Sequence, residues 1–422
     1  MLSPPAVPSD TPLFQVGAFR QLLIIRLTAT ASNRMLGVVV GWQIYDLTDS
    51  ALALGMIGLV QFLPPMLLTL ISGEVADRVN RRTILQWCYV IEIFLLLGLF
   101  FLSLMDQPPI AAFYGLLLVI SATHTFEGPA QQSLLPSMVP RSVLSRAVAT
   151  YSSAARISTL VAPAVGGLIY TFGPATDYMW CATLIAIAAI ASFLLPKPAP
   201  LAGAKEKTTW TSLIAGVTFI WSSPILLGVL SLDLVATFFG GLTALMPIFA
   251  RDILDVGPVG LGILRSAPSV GALLMALVMS WYPVTRSAGY VVLGGIAIYG
   301  LMTILFALSE NIVLSLVSLF ILGAGDTMSQ VIRKTLIQSM TPDDVLGRVS
   351  AVSSLSVNMG GQLGQFESGV TAALFGAVGS ALFGGVAVLA VVGIWAYRFP
   401  DLLRVMRADD VEAVSQKRPP PG

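Results

Sequence analysis

Ionisable side chains recur inside apolar stretches of this sequence, where burying a charge costs free energy. His124 and Glu127 lie three residues apart in one stretch, and Asp326 and Arg333 lie seven apart in another. A histidine titrates near neutral pH, and a carboxyl removed from water favours its protonated form. Since a charge at the centre of a bilayer is costly, these residues are candidates for substrate binding or proton transfer.

The apolar stretches contain eleven ionisable residues in all: Arg26, Arg34, Glu92, His124, Glu127, Arg156, Asp233, Arg265, Asp326, Arg333 and Glu367. The alternative to a functional cluster is a set of buried ion pairs that only brace the helices. For Glu92 we expect this structural role. His124 can equally be a neutral hydrogen-bonding residue, and Arg333 can extend to the cytoplasmic surface.

The composition indicates which elements position these residues. Of 422 residues, 56% are hydrophobic and only 11% are charged, with a mean hydropathy of +0.85. Soluble domains carry about 25% charged residues, so lipid must cover much of this chain. A net charge of +1 excludes a nucleic-acid partner bound through a strong basic surface. The composition therefore predicts an all-α membrane protein.

Apolar runs long enough to cross a bilayer, about 20 residues each, recur along the chain. They predict twelve spans, at 20–46, 51–75, 83–105, 109–132, 146–171, 177–195, 225–249, 257–282, 288–308, 311–335, 346–374 and 376–397. The apolar piece at 210–222 is too short to span and is predicted to be an interfacial helix.

Basic residues alternate between successive connections. The connections that follow odd-numbered spans contain one basic residue, Arg251, whereas the other connections and the tails contain most of the rest. The positive-inside rule then places both termini in the cytoplasm of a multi-pass protein in the plasma (inner) membrane.

A Pro-rich, charged segment, Pro196–Lys207, divides six spans from six and is predicted to be a linker. The sequence predicts four parts. They are an N-terminal six-helix half at 1–195, a cytoplasmic linker with the interfacial helix at 196–224, a C-terminal six-helix half at 225–400 and a cytoplasmic tail at 401–422.

An internal repeat supports two related halves. The segment Ser137–Arg146 matches Ser339–Arg348 at six of ten positions, with a constant offset of 202 residues. At this offset His124 corresponds to Asp326, and Gln131 corresponds to Arg333. Two similar halves of six spans are typical of transporters whose substrate binds near the midplane between the halves.

The connection after the second span reads Gly73-Glu-Val-Ala-Asp77-Arg78-Val-Asn-Arg81-Arg82. This resembles the G-x-x-x-D-R-x-x-R-R loop of the major facilitator superfamily. The resemblance implies the major facilitator fold, with about twelve transmembrane helices in two pseudo-symmetric halves. It also implies that Gly73, Asp77, Arg78, Arg81 and Arg82 form a cytoplasmic gating loop rather than a substrate site.

The segment 333–352, with Arg26 in the first span, is similar to the enterobactin (siderophore) exporter and drug efflux branch of that superfamily. In the fifth span, Pro163, Gly166 and Gly167 resemble the exporter motif G-P-x-x-G-G, with Ala162 in place of its first glycine. The fourth span has no arginine, which departs from many proton-coupled exporters of the family.

In this fold the first, fourth, seventh and tenth helices line the central cavity. Seven of the eleven ionisable residues fall on those helices and are our candidates for proton coupling or the substrate cavity: Arg26, Arg34, His124, Glu127, Asp233, Asp326 and Arg333. Among them, we expect Glu127 to take up the proton and Asp326 to pair with an arginine.

The sequence therefore predicts a secondary transporter that exports a siderophore-like or amphipathic small molecule in exchange for protons. The alternatives are a lipid or lysolipid transporter and a membrane sensor or scaffold that no longer transports. No nucleotide-binding loop, nucleophile or metal-ligand pattern is present, so we expect no enzyme, cofactor or metal site. The expected partners are the substrate, protons and the lipid bilayer, with a monomer that can work with envelope efflux components.

Overall fold

The computed structural model describes residues 13–196, 210–282 and 287–400. Residues 197–209 of the predicted linker and the predicted tail at 401–422 lie outside the described residues. Within the described ranges, the side chains at 70, 77, 141, 210–215, 343 and 344 are also outside the description.

Helices account for nearly all of the described chain, and none of the described residues forms a β-strand. The first six helices are α1 Gly17–Thr48, α2 Ala51–Arg78, α3 Arg81–Ser103, α4 Ile110–Met138, α5 Leu144–Tyr170 and α6 Pro174–Leu194. The others are α7 Trp210–Ser222, α8 Pro224–Phe239, α9 Met246–Ile248, α10 Gly257–Trp281, α11 Ala288–Ala307, α12 Ile312–Met340 and α13 Asp343–Arg398. The prediction of an all-α membrane protein is confirmed.

Eleven helical segments of the described residues are long and apolar enough to cross a membrane. The last of them, Val345–Arg398, has 54 residues and is divided at Gly376, where the backbone leaves the helical region with φ 75°. Glycine adopts this positive φ without a Cβ clash. The break separates the predicted spans 346–374 and 376–397, so this one segment contains both of them.

The seventh span is interrupted, whereas the sequence predicted one continuous helix at 225–249. Helix α8 ends at Phe239, and the chain continues through a 3₁₀ turn at Gly241–Ala244, the short α9 and a π-helical turn at Phe249–Ile253. The adjacent Gly240 and Gly241 weaken the helix, and Pro247 cannot donate a backbone hydrogen bond. The interrupted segment brings Arg251 to the end of this crossing.

The short helix predicted at 210–222 is present as α7. Extended backbone at Ser223 separates it from α8. Its position at the membrane interface stays a prediction.

The repeat found in the sequence is present in the helices. Helix α4 begins at Ile110 and ends at Met138, and α12 begins at Ile312 and ends at Met340, so both ends differ by 202 residues. Residues that correspond in the repeat therefore occupy the same turns of corresponding helices.

The chain divides into two compact units, which we describe separately. The first unit comprises Met1–Val40 and Leu63–Lys207, and the second comprises Gly41–Phe62 and Thr208–Gly422. In the first unit, α3 packs against α4 and α6. In the second, α12 packs against α10 and α11, and a core around Leu226, Val292 and Leu336 is fully buried.

Candidate functional site

The first unit contains a buried polar cluster between α3 and α4. His124 Nε2 lies 3.1 Å from Oε1 of Glu92, and Tyr89 donates a hydrogen bond of 2.9 Å to Oε1 of Glu127. The side chain of Glu92 is 1% exposed, and its other oxygen, Oε2, has no hydrogen-bond partner. Two carboxyls and an imidazole thus lie together with one carboxyl oxygen unsatisfied.

A second set of hydrogen bonds connects this cluster to α1. Gln131 donates from Nε2 to the Tyr89 hydroxyl at 3.4 Å, and Arg26 donates to Oε1 of Gln131 at 2.6 Å. The Arg26 guanidinium also lies 5.2 Å from the centre of the Tyr151 ring. The cation therefore contacts neutral groups and makes no direct ion pair with Glu127. We call Arg26, Tyr89, Glu92, His124, Glu127 and Gln131 the histidine cluster.

Helical spacing explains how the sequence assembles this cluster. Residues 124, 127 and 131 are three and four apart, so they share one face of α4. On α3, Tyr89 and Glu92 are three apart and share the face that packs against α4. Glu92 was assigned a structural role from sequence because the third helix is peripheral in this fold. The sequence feature that could have placed Glu92 in a polar cluster is Tyr89, which lies three residues earlier on the same apolar helix.

Arg34, another predicted cavity residue, is not part of the histidine cluster. Its side chain is exposed in the structure, and it makes no ion pair with the described residues. Arg26 and Arg34 lie on one helix, and only Arg26 reaches the histidine cluster.

The second unit contains a cluster centred on a buried arginine. Arg333 Nη2 lies 2.8 Å from Oδ1 of Asp233 and 3.8 Å from Oδ1 of Asp326, and its Nη1 donates to Ser329 at 2.8 Å. The Arg333 side chain is 4% exposed, so it does not extend to the surface. We call Asp233, Asp326, Ser329 and Arg333 the arginine cluster. Asp326 lies near an arginine as expected, although Asp233 is the nearer partner.

A third charged group, which sequence reasoning missed, joins the α1–α2 turn to the end of the interrupted seventh span. Arg251 pairs with Asp49 and lies 3.6 Å from Asp46, and its Nε donates to Asp252 at 2.9 Å. Tyr45 donates to Asp252, and its ring lies 4.5 Å from the Arg251 guanidinium. We call these five residues the hairpin cluster. The sequence feature that marked this group is Arg251 itself, the one basic residue in the connections that follow odd-numbered spans.

The predicted gating loop lies at the end of α2 and the start of α3. Arg78 pairs with Glu74 at 2.6 Å, and Arg82 donates to the carbonyl oxygens of Ser192 and Phe193 at the end of α6. A cation at this position compensates the unpaired carbonyls of a helix C-terminus. Arg81 makes no hydrogen bond or ion pair with the described residues, and a side chain at Gly73 would meet open space. The Asp77 side chain lies outside the described residues.

The exporter-like motif packs inside the first unit. Pro163, Gly166 and Gly167 are buried in α5. A Cβ at Gly166 would lie 3.3 Å from Met35 of α1, so the glycine allows the two helices to approach closely.

The comparisons with known proteins agree with this architecture. A sequence profile described as MFS_3, transmembrane secretion effector, matches residues 9–421. The chain belongs to this family of the major facilitator superfamily. It is therefore a multi-pass membrane transporter of an efflux family, and its similarity to the enterobactin-exporter branch is confirmed by curated relatives. The enterobactin exporter EntS of Escherichia coli O1:K1 is 26% identical over 378 residues, which cover 89% of this chain and 90% of the relative. EntS of Shigella boydii serotype 18 matches equally.

Solved structures of other transporters share the fold of this chain. A bacterial homologue of the human lysosomal transporter Spinster, in an inward-facing and unoccupied conformation, has a TM-score of 0.73 at 14% identity and covers 98% of this chain and 100% of its own. The nucleoside transporter NupG has a TM-score of 0.68 at 15% identity and covers 91% of this chain and 98% of its own. At these identities the similarity establishes the fold alone.

Proposed function

We propose that this MFS_3 transporter exports a siderophore-like or amphipathic small molecule from the cytoplasm in exchange for protons, by alternating access. The observation that carries the proton coupling is the environment of Glu127. Its carboxyl accepts a hydrogen bond from Tyr89 and has no direct ion pair with an arginine or lysine among the described residues. A carboxyl in such a place can change its charge without stranding a fixed cation.

The charged and titratable groups that face Glu127 come from four helices. They are Cys88, Tyr89 and Glu92 of α3, His124 of α4, Arg26 of α1 and Tyr151 of α5. His124 sits beside both acids, so it can share a proton with Glu92 while Glu127 exchanges one. Arg26 adds a positive charge to the histidine cluster without pairing directly with either acid.

The substrate class rests on the relatives. Enterobactin exporters match 89% of the chain, and a siderophore is a polar, often acidic compound that needs a cationic partner inside a membrane protein. Arg26 is half-buried and makes no ion pair with the described residues, so it is the proposed anchor for an acidic group of the substrate. A deletion strain grown in iron limitation should retain the compound, which metabolite measurement in cells and culture fluid detects. Unchanged export of every siderophore would contradict the substrate assignment.

The decisive experiment is uphill transport in proteoliposomes driven by a pH gradient. Glu127→Gln should bind substrate but fail to couple transport to the gradient, and substrate-induced proton release should disappear. Glu127→Asp is the matched control, because it shortens the side chain but keeps the titrating group, and it should retain coupling. A Glu127→Gln protein with normal uphill transport and proton release removes Glu127 from the mechanism.

The gating role of Asp77 rests on the match of residues 73–82 to the family loop. Asp77→Asn should impair turnover in proteoliposomes while expression and folding stay close to wild type. Wild-type turnover in this variant would contradict the assignment.

The proposed topology places the protein in the inner membrane with both termini and the 196–209 linker in the cytoplasm. A cysteine introduced by Ala202→Cys should resist a membrane-impermeant thiol reagent added outside. Labelling from the outside would reverse the orientation.

A further inference from the structure

The histidine cluster also contains the ligand set of a metal site. Donor atoms of Glu92, His124 and Glu127 all lie within 4.8 Å of one another. A tetrahedral zinc site with bonds of about 2.0–2.2 Å places its donors about 3.4 Å apart. The 3.1 Å separation of His124 Nε2 from Glu92 Oε1 already has this scale. The Glu127 carboxylate supplies the third donor, within 4.8 Å of the other two.

A second observation favours a cation as the ligand of this cluster. Oε2 of Glu92 is buried without a hydrogen-bond partner, although its side chain is 1% exposed. An unsatisfied carboxyl oxygen at this depth is costly, and a metal ion would satisfy it. The arginine of the cluster does not fill this role, because Arg26 donates to Gln131 instead.

The charges favour a divalent ion. Two carboxylates and a neutral imidazole carry two negative charges, so a dication neutralises these three ligands and lowers the cost of burying them. One imidazole with two carboxylate oxygens suits zinc or a similar first-row ion better than a thiolate-loving or an oxygen-only ion. The Tyr89 hydroxyl, 2.9 Å from Glu127 Oε1, or a water is available for the fourth position.

From this geometry we propose that Glu92, His124 and Glu127 form a binding site for one Zn²⁺ ion inside the first unit of the transporter. The ion competes with the protons of the same groups, so binding releases protons and weakens as the pH falls. The sequence predicted no metal site, because Glu92 and the pair on α4 are separated by more than 30 residues and show no ligand motif.

The presence of a single histidine simplifies the test of this site. The chain has one histidine, so in protein without an affinity tag any imidazole bound to metal is His124. Untagged protein in detergent is titrated with Zn²⁺, and the complex is measured by X-ray absorption. We expect one saturable ion per chain, with one imidazole and only oxygen besides. Absence of saturable binding, or a shell that contains sulfur from a cysteine, overturns the proposal.

Variants assign the ligands. Glu92→Gln and His124→Gln should each weaken Zn²⁺ binding by about tenfold or more. Asp177→Asn is the matched control, because Asp177 is a fully buried acid of the same unit with both oxygens unpartnered and should leave Zn²⁺ affinity unchanged. Unchanged affinity in His124→Gln overturns the site. If that variant aggregates, the imidazole signal of the wild-type spectrum decides. Because these readouts do not measure transport, their failure leaves the proton-coupling proposal standing, and the reverse also holds.

Discussion

The two units bury polar clusters on corresponding helices, yet the clusters differ in their charges. In the histidine cluster, two acids contact an imidazole and a phenol, and the arginine reaches them only through an amide. In the arginine cluster, a buried guanidinium lies between two aspartates. The repeat relates His124 to Asp326 and Gln131 to Arg333, so equivalent positions carry different chemistry.

This difference suggests a division of roles. An arginine stays protonated in proteins, so the arginine cluster keeps a fixed charge pattern that can orient a substrate or hold helices together. A carboxyl beside an imidazole can lose or gain a proton, so the histidine cluster can change its charge during a transport cycle. Substitutions in both clusters test whether the clusters are as different as their contacts indicate.

The largest effect is expected from Arg333→Met. The variant removes the cation of the buried Asp233 and of the partly exposed Asp326, and breaking a buried pair costs about 3–5 kcal/mol. Arg26→Met is the matched control, since Arg26 contacts the neutral Gln131 and Tyr151, and its loss should be clearly smaller. Thermal unfolding of both variants in the same detergent measures the difference.

A double variant checks the cause. Adding Asp233→Asn to Arg333→Met removes one stranded acid and should recover part of the lost stability. An Arg26→Met protein as unstable as Arg333→Met would mean that the two arginines stabilise their units equally, which contradicts the proposed difference between the clusters. No recovery in the double variant would contradict the stranded acid as the cause of the lost stability.

The span pattern was accessible from sequence because membrane crossing depends on local apolar length. The predicted boundary between 346–374 and 376–397 falls at the break of α13 at Gly376, and the 202-residue repeat located corresponding turns of α4 and α12. The interruption of the seventh span was missed, since the glycines at 240 and 241 lie inside an apolar run that hydropathy alone reads as continuous.

The composition of each cluster was only partly accessible. The shared face of His124, Glu127 and Gln131 follows from helical spacing. That Glu92 faces His124 depends on how α3 is rotated against α4, which packing determines and no local pattern encodes. The Asp233–Arg333 pair joins residues 100 apart for the same reason.

An intermediate loss of stability is expected from substituting the two acids of the arginine cluster, and it shows which acid is the main partner of Arg333. Asp233 lies 2.8 Å from Arg333 and is 14% exposed, whereas Asp326 lies 3.8 Å away and is 41% exposed. Asp233→Asn should therefore lower the unfolding temperature more than Asp326→Asn, because the nearer and more buried partner contributes more to the free energy of unfolding. The reverse order in thermal unfolding would assign the structural pairing to Asp326.

The smallest effect is expected in the hairpin cluster, which supplies an exposed ion-pair reference for the two buried clusters. Asp46 and Asp49 are 59% and 71% exposed, and surface pairs of this kind contribute at most about 1 kcal/mol. Arg251→Gln should therefore lower the unfolding temperature slightly, and added salt should reduce the difference from wild type, because salt screens exposed charges. Arg333→Met should show little salt dependence, since Arg333 and its nearer partner Asp233 are only 4% and 14% exposed.

A charge swap is a sharper form of this last test, because Asp49 and Arg251 form a direct ion pair. The charge swap Asp49→Arg with Arg251→Asp restores that one pair but places the new aspartate beside Asp46 and Asp252. Recovery of the wild-type unfolding temperature should therefore be incomplete, and it should improve with salt as the repulsion is screened. A loss in Arg251→Gln as large as that in Arg333→Met, and insensitive to salt, would show that the exposed cluster braces the second unit as strongly as the buried one.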